Sequence, residues 1–215
     1  MGRIDYSLYL VTDRALARGR PLADVVRAAV AGGVTCVQLR EKEASAREFA
    51  AAARELLALL RPLGVPLIVN DRIDVALAAG ADGVHVGQQD LSVADARRLG
   101  PPGWIVGVSA ESVADAARAE RDGADYVGAS PIFATPTKTD HAPPLGLAGL
   151  RALRAATKLP LVAIGGLHAG NARETIRAGA DGLAVVSAIV AADDPRAAAA
   201  ELRREIAAAK GAEET

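Results

Sequence analysis

The chain has 215 residues, 51% hydrophobic and only 3% aromatic, which is enough for one large aliphatic core and predicts a single domain. The formal net charge of −1 creates no overall field that would attract nucleic acid, so an anionic ligand must be held by a few local cations and backbone amides. The apolar stretches are too short or too interrupted to span a bilayer, and the single cysteine, Cys36, excludes an intramolecular disulfide, so we expect no membrane partner and a reducing, cytoplasmic location with Cys36 as core filler.

Short hydrophobic runs alternate with helix-compatible segments along the chain. Three runs follow a repeated Gly-Ala-Asp pattern that begins at Gly80, Gly123 and Gly179, and a glycine that ends a helix before a buried run is typical of a parallel sheet. The predicted strands cover residues 8–11, 34–39, 66–69, 83–86, 104–108, 125–129, 161–164 and 182–186. Eight such units predict an α/β protein with a closed (β/α)8 TIM barrel.

An open, doubly wound sheet is the structural alternative, since it also alternates strands and helices. It would normally carry a glycine-rich dinucleotide fingerprint after its first strand, whereas Val11-Thr12-Asp13-Arg14 stands there in this chain. We therefore favour the barrel as a single domain over residues 1–215. Its outer helices are predicted at residues 23–31, 45–60 and 112–121, with a last helix from about Pro195 to Lys210 and a fraying tail from about residue 211.

The loops that follow the carboxyl ends of barrel strands build the active site, so polar residues in those loops are expected to converge. Arg40 and Lys42 come just after the second strand and are separated by one residue. A planar guanidinium fork and a compact ammonium suit a diphosphate. The alternative is a solvated surface pair beside Glu41 and Glu43, and the sequence alone leaves both interpretations open.

An amide and two carboxylates follow the third and fourth strands, at Asn70, Asp71 and Asp90. Mg²⁺ prefers a few protein oxygens together with phosphate oxygens and water, so the pair of aspartates predicts a Mg²⁺ site beside the diphosphate. The alternative is helix capping, by Asp71 before a helix that begins near Ile73 and by Asp90 before one that begins near Ser92. Capping and metal binding do not exclude each other.

The loop after the sixth strand, residues 130–140, is polar and rich in proline. The hydroxyls of Thr135 and Thr137 and the cation of Lys138 are expected to grip a phosphate, with the loop acting as a lid; a plain surface loop is the alternative. After the last two strands, backbone amides near Gly166 and a helix start at residues 186–187 favour a second anion. Two phosphorylated substrates, or one diphosphate and one monophosphate, are implied.

In order along nearly the whole chain, these motifs resemble the thiamine phosphate synthase (thiamine-phosphate pyrophosphorylase) family. The segments that carry the resemblance are residues 38–42, 70–72, 83–91, 107–109, 131–138, 163–166 and 184–189. The resemblance implies a Mg²⁺-dependent transferase that joins 4-amino-5-hydroxymethyl-2-methylpyrimidine diphosphate to a thiazole ethyl phosphate, giving thiamine phosphate and diphosphate. It also implies a dissociative mechanism, in which the thiazole nitrogen captures a pyrimidine carbocation.

The resemblance further implies a role for each matching residue. Gln38 is expected to hold the pyrimidine, Ser109 to lie near the pyrimidine and the diphosphate, and Asp71 and Asp90 to bind Mg²⁺. The diphosphate is expected to contact Arg40, Lys42, Asn70 and Lys138. The thiazole phosphate is expected to contact Thr135, Thr137, Gly166, Val186 and Ser187, the last two through backbone amides. Leu39, Glu41 and Pro136 belong to the same motifs and are expected in the substrate site. The expected catalytic residues are Arg40, Lys42, Ser109 and Lys138.

Two other functions stay open at this stage. A thiazole tautomerase would use the same barrel with His141 as its base, although the diphosphate and metal residues would then have no purpose. A non-catalytic sensor of thiamine phosphate would bind without turnover, but no appended interaction segment is apparent. His85 and His168 are interpreted as structural histidines, and the oligomeric state, a homo-oligomer included, is left undecided.

Overall fold

Eight parallel strands, each paired with the next and β8 paired with β1, form a closed barrel. The computed structural model describes residues 4–135 and 143–211. The strands are β1 Leu8–Val11, β2 Cys36–Leu39, β3 Leu67–Asn70, β4 Gly83–Val86, β5 Ile105–Ala110, β6 Tyr126–Ala129, β7 Leu161–Ile164 and β8 Gly182–Val185. This confirms the predicted barrel and excludes the open sheet, and the strand bounds differ from the predicted ones by two residues at most.

Helices follow the strands and cover the outside of the barrel. They are α1 Leu22–Ala31, α2 Ala46–Leu60 with a 3-10 turn at Arg61–Leu63, α3 Ile73–Ala79, α4 Val93–Leu99, α5 Val113–Arg121, α6 Gly146–Ala156, α7 Ala169–Arg177, α8 Ser187–Val190 and α9 Pro195–Gly211. Within the described ranges, none of these helices combines the length and the apolar character that a bilayer crossing requires. The predicted tail beyond residue 211 lies outside the described residues.

Strand side chains alternate between an outer and an inner cluster, because successive residues of a strand point to opposite faces. Leu8 and Leu39 pack in the large outer cluster between strands and helices, whereas Tyr9 and Cys36 belong to the smaller cluster inside the barrel. Burial raises the pKa of the Cys36 thiol, so this residue is core filler, as predicted. The same alternation decides which polar residues reach the interior.

Gly107 on β5 leaves room for the ring of Tyr126, its register partner on β6. A Cβ atom at Gly107 would lie 2.1 Å from Cζ of Tyr126, a ring that is fully buried. We expect Gly107→Ala to lower the free energy of unfolding by roughly 1–3 kcal/mol through overpacking, measured by urea denaturation. Gly211→Ala, where a Cβ would have no neighbour within 4 Å, is the control and should change stability by less than about 0.5 kcal/mol. Equal stabilities of the two variants would contradict this packing.

Candidate active site

A cavity of about 1030 Å³ opens at the carboxyl ends of the barrel strands. Residues on or just after each of the eight strands line it, as expected when the loops of a barrel share one site. Among the residues that the structure describes, the predicted ones that line this cavity are Gln38, Arg40, Lys42, Asn70, Asp71, Asp90, Ser109, Thr135, Gly166, Val186 and Ser187. Residues distant in sequence therefore meet at one surface.

Two predicted residues do not reach the cavity. The Leu39 side chain is fully buried in the outer cluster, and Glu41 turns away to Arg14, with 2.7 Å between the Arg14 Nη2 atom and a Glu41 carboxylate oxygen. The expectation of substrate contact is corrected for both side chains. The alternation that directs Gln38 inward directs Leu39 outward, and Glu41, which lies beyond the end of β2, is held by Arg14. Pro136, Thr137 and Lys138, together with His141, lie outside the described residues.

The cations after β2 are oriented by neighbouring carboxylates. The Arg40 guanidinium lies 3.6 Å from Asp13 and is only 20% exposed, and the Arg40 backbone N–H donates to Thr12 Oγ1 at 3.0 Å. Lys42 Nζ lies 3.4 Å from Asp71 Oδ2. Both cations also line the cavity, which favours the anion-binding interpretation over a solvated surface pair.

The two aspartates lie close enough to influence each other electrostatically. Burial, and then the neighbouring charge of Asp90, raise the pKa of Asp71 above its usual range, while Lys42 acts in the opposite direction. Asp71 also has a left-handed backbone, with φ of 61°, and its N–H donates to the His85 carbonyl at 2.8 Å. Such strained conformations in non-glycine residues cluster at functional sites.

The capping interpretation of these aspartates is wrong. The residue before α3 is Arg72, and that helix has no side-chain cap, whereas α4 is capped by Ser92. Asp90 instead accepts a hydrogen bond from the Gly87 N–H at 2.7 Å, which closes the turn after β4. Both carboxylates therefore stay available at the cavity.

The chemistry of the Asp71–Asp90 pair fits a hard divalent cation. Two carboxylates supply too few ligands for a closed metal site, and the described part of the chain has no group of three or more His, Cys, Asp or Glu that could hold a metal. Proteins commonly bind Mg²⁺ through one or two carboxylates, and phosphate oxygens and water complete the coordination shell. The pair fits a metal that arrives with a phosphorylated ligand.

At the opposite side of the cavity, the backbone approaches closely between the loops after β6 and β7. Gly166 has φ of +64°, and a Cβ atom on it would lie 2.7 Å from the Ala134 carbonyl oxygen. Phe133 N–H donates to the Gly165 carbonyl at 3.1 Å, so the two loops are bonded together. The half-buried Thr135 lines the cavity next to them.

The turn after β8 is held from outside the cavity by Arg20, which the sequence did not single out. Its guanidinium donates to the carbonyls of Val190 at 2.6 Å and Ala192 at 2.8 Å, at the end of α8. This fixes the short helix that begins at Ser187 and thereby the backbone that lines the cavity. An arginine just before α1 does not by itself predict such a contact.

Three side chains on the floor of the cavity were not predicted to belong to the site. Tyr9, His85 and Tyr126 all line it. His85 is a satisfied histidine, as predicted, because both ring nitrogens have partners, but it also faces the cavity. Its position between Val84 and Val86 was the available signal, since a lone polar residue in a barrel strand points inward.

His168 has the structural role that was predicted for it. It is exposed at the start of α7, where Nδ1 accepts a hydrogen bond from the Gly170 N–H at 3.1 Å. The Asn171 side chain completes the cap by accepting from the His168 N–H at 2.9 Å.

A family model described as thiamine monophosphate synthase matches residues 8–189. The chain belongs to this family. A thiamine-phosphate synthase of Albidiferax ferrireducens is 64% identical over 197 residues, covering 92% of this chain and 90% of the relative. One of Chloroflexus aurantiacus is 58% identical over 200 residues, covering 93% and 92%.

Solved structures agree with the family. A thiamine phosphate pyrophosphorylase from Pyrococcus furiosus superposes with a TM-score of 0.88 at 40% identity, covering 96% of this chain and 98% of that one. Thiamine monophosphate synthase family membership therefore rests on sequence and on fold, both over nearly the whole chain.

Proposed function

We propose that this protein condenses 4-amino-5-hydroxymethyl-2-methylpyrimidine diphosphate with a thiazole ethyl phosphate, releasing diphosphate and giving thiamine phosphate. The observation that carries the proposal is the division of the cavity. Cations and a carboxylate pair lie after β2 to β4, and close-packed backbone with hydroxyls lies after β6 to β8. Such a cavity suits a metal-bound diphosphate at one end and a monophosphate at the other.

The reaction needs charge stabilisation more than a nucleophile and base. The C–O bond between the pyrimidine methylene and the diphosphate breaks with its electron pair on the leaving oxygen, and the thiazole nitrogen lone pair then forms the C–N bond. Arg40 and Lys42 act where negative charge grows on the leaving group, so they lower the barrier as well as bind. Gln38 and Ser109 hold the pyrimidine so that the thiazole nitrogen meets its methylene carbon.

Asp71 and Asp90 would hold the Mg²⁺, which when bound neutralises charge on the diphosphate oxygens. Lys138 is proposed to add a further cation from the loop after β6, with Thr137 and Pro136 beside it. The proposed partners are these small phosphorylated substrates, and the proposed location is the cytoplasm, in keeping with the single buried cysteine.

The test is a direct assay with purified protein, both substrates and Mg²⁺, in which thiamine phosphate is converted to fluorescent thiochrome. We expect product that disappears with EDTA and with Lys138→Ala. Folded protein that makes no product would overturn the proposal. Calorimetry with thiamine phosphate, and conversion of the thiazole phosphate alone, would then separate a sensor from a tautomerase.

The thiazole phosphate end gives a graded prediction. Ser187→Ala should raise the KM for the thiazole phosphate by less than about threefold, because the expected contact is largely to backbone. Gly166→Ala should raise it at least about tenfold, since φ of +64° and the Ala134 carbonyl at 2.7 Å leave no place for a Cβ atom. Steady-state kinetics with each substrate varied in turn measures both. An equal rise in the KM for the pyrimidine diphosphate would contradict a local effect.

A further inference from the structure

A row of five hydrogen-bonded side chains crosses the floor of the cavity, and we call it the floor network. It consists of Gln38, Tyr9, Tyr126, His85 and Ser109, in that order. The contacts are Gln38 Nε2 to Tyr9 OH at 3.0 Å, Tyr9 OH to Tyr126 OH at 2.8 Å, Tyr126 OH to His85 Nδ1 at 2.9 Å, and His85 Nε2 to Ser109 Oγ at 2.9 Å. The two ends, Gln38 and Ser109, are the residues expected to hold the pyrimidine.

The chemistry of these groups favours one order of donors and acceptors along the network, which runs from Gln38 to Ser109. The Gln38 amide nitrogen can only donate, so Tyr9 accepts from it. The Tyr9 proton then has two neighbouring acceptors, and the phenol oxygen of Tyr126 is a stronger one than the Cys36 sulfur, which accepts only weakly. Burial raises the pKa of both phenols well above the usual range, so each keeps that proton. Tyr126 then donates to Nδ1 of His85, which is possible only if the neutral ring carries its hydrogen on Nε2.

The direction determines what the two ends present to a ligand. His85 donates from Nε2 to the Ser109 oxygen, which leaves the Ser109 hydroxyl proton to point elsewhere, into the cavity that the residue lines. At the other end one proton of the Gln38 amide nitrogen is donated to Tyr9, and this contact orients the amide so that its carbonyl oxygen is available to accept from a ligand. The floor thus has an acceptor at Gln38 and a donor at Ser109.

Packing keeps the network in place. A Cβ atom at Gly107 would overlap the Tyr126 ring, so this glycine is needed for the ring to fit. A Cβ atom at Gly128 would lie 3.1 Å from Cε1 of His85, so the backbone there packs closely against the His85 ring. Tyr6 stacks on Tyr126 with 4.6 Å between ring centroids, although it makes no hydrogen bond within the floor network. The rings are therefore held at the positions where these hydrogen bonds are made.

We propose that Tyr9, Tyr126 and His85 are positioning residues that set the polarity of the pyrimidine site and make it selective for an aminopyrimidine. An exocyclic amino group donates to the Gln38 oxygen, and a ring nitrogen accepts from Ser109. A 4-hydroxypyrimidine in its oxo form offers the opposite pattern, so binding it requires the whole network to reverse or leaves buried groups unpaired. The identity of the ligand rests on the proposed function, whereas the order of donors and acceptors along the floor network does not.

The direction is tested first, without ligand, by ¹⁵N NMR of protein labelled in histidine, with His85→Gln used to assign the signal. We expect the neutral Nε2–H tautomer of His85 at pH 7.5. A neutral Nδ1–H tautomer or an imidazolium would overturn the proposal, whatever the activity of the protein.

The selectivity is tested by calorimetry with 4-amino-5-hydroxymethyl-2-methylpyrimidine and its 4-hydroxy analogue. The wild type should favour the amino compound at least about 100-fold, and Tyr126→Phe, which keeps the ring, should reduce this ratio about tenfold or more and mix the His85 tautomers. Tyr6→Phe is the matched control and should change neither. An unchanged ratio in Tyr126→Phe would overturn the role of the network. Failure of both compounds to bind the wild type would overturn the ligand class, with the NMR result showing separately whether the direction holds.

Discussion

Replacing Arg40 by methionine is expected to lower kcat/KM for the condensation about 100- to 1000-fold. This is the usual cost of removing one preorganised hydrogen-bond donor from a group on which negative charge develops in the transition state. The guanidinium is largely covered, faces the cavity and is oriented by Asp13 and by the backbone contact to Thr12. Stability should change little, because a partly exposed ion pair at 3.6 Å contributes no more than about 1 kcal/mol. Arg40→Lys should recover only part of the activity, since an ammonium cannot make two parallel contacts to a phosphate.

Arg14→Met is the matched control for this prediction. Arg14 belongs to the neighbouring loop and is paired with Glu41, but it does not line the cavity. Steady-state kinetics and urea denaturation of both variants separate catalysis from folding. If Arg14→Met and Arg40→Met lost activity equally, the loss would come from a shift of the loop, and the assignment of Arg40 to the diphosphate would fail.

The strands and the position of the site could be predicted because their signals are local. Short aliphatic runs mark the strands, several of them after a helix-ending glycine, and the polar residues that follow the strands must meet once the sheet closes. Gln38 reaches the cavity because alternate residues of a strand share a face, and Arg40 and Lys42 reach it from the loop that follows β2. The same alternation excludes the Leu39 side chain, and the ion pair with Arg14 excludes the Glu41 side chain, although both residues belong to the motif.

The floor of the cavity could not be predicted in the same way. The contact between Tyr9 and Tyr126 joins residues 117 positions apart, and that between His85 and Tyr126 spans 41 positions. A tyrosine in a hydrophobic run is predicted to be a core residue. Only the structure shows which partner its hydroxyl contacts. The capping hypothesis for the aspartates could not be decided from the sequence either, because a cap and a ligand look alike there. The structure shows that α3 begins after Arg72 without a side-chain cap and that Ser92 caps α4.

Asp71→Asn is expected to have opposite effects on activity and on stability. It should lower Mg²⁺-dependent turnover more than about 100-fold and raise the free energy of unfolding of the ligand-free protein. Burial and Asp90 raise the pKa of Asp71, so its ionised form is disfavoured in the folded state. The folded wild type then binds more protons than the unfolded chain, and its stability falls as the pH rises from the ordinary aspartate pKa through the raised one. Asparagine removes this charge and tolerates the φ of 61° at this position.

The measurement is the difference in unfolding free energy between Asp71→Asn and wild type as a function of pH. This difference should be smallest in acid, grow as the pH rises from the ordinary aspartate pKa through the raised pKa of Asp71, and stay level above it. Asp74→Asn is the control: Asp74 is exposed and paired with Arg72, which lowers its pKa, so its removal should slightly destabilise the fold and leave turnover intact. Mg²⁺ with diphosphate should raise the Tm of the wild type and of Asp74→Asn, but not that of Asp71→Asn, because a ligand stabilises only the state that binds it. An Asp71→Asn variant less stable than wild type at neutral pH would show that Lys42 outweighs Asp90 in the absence of ligand, and the carboxylate pair would then be a structural ion pair.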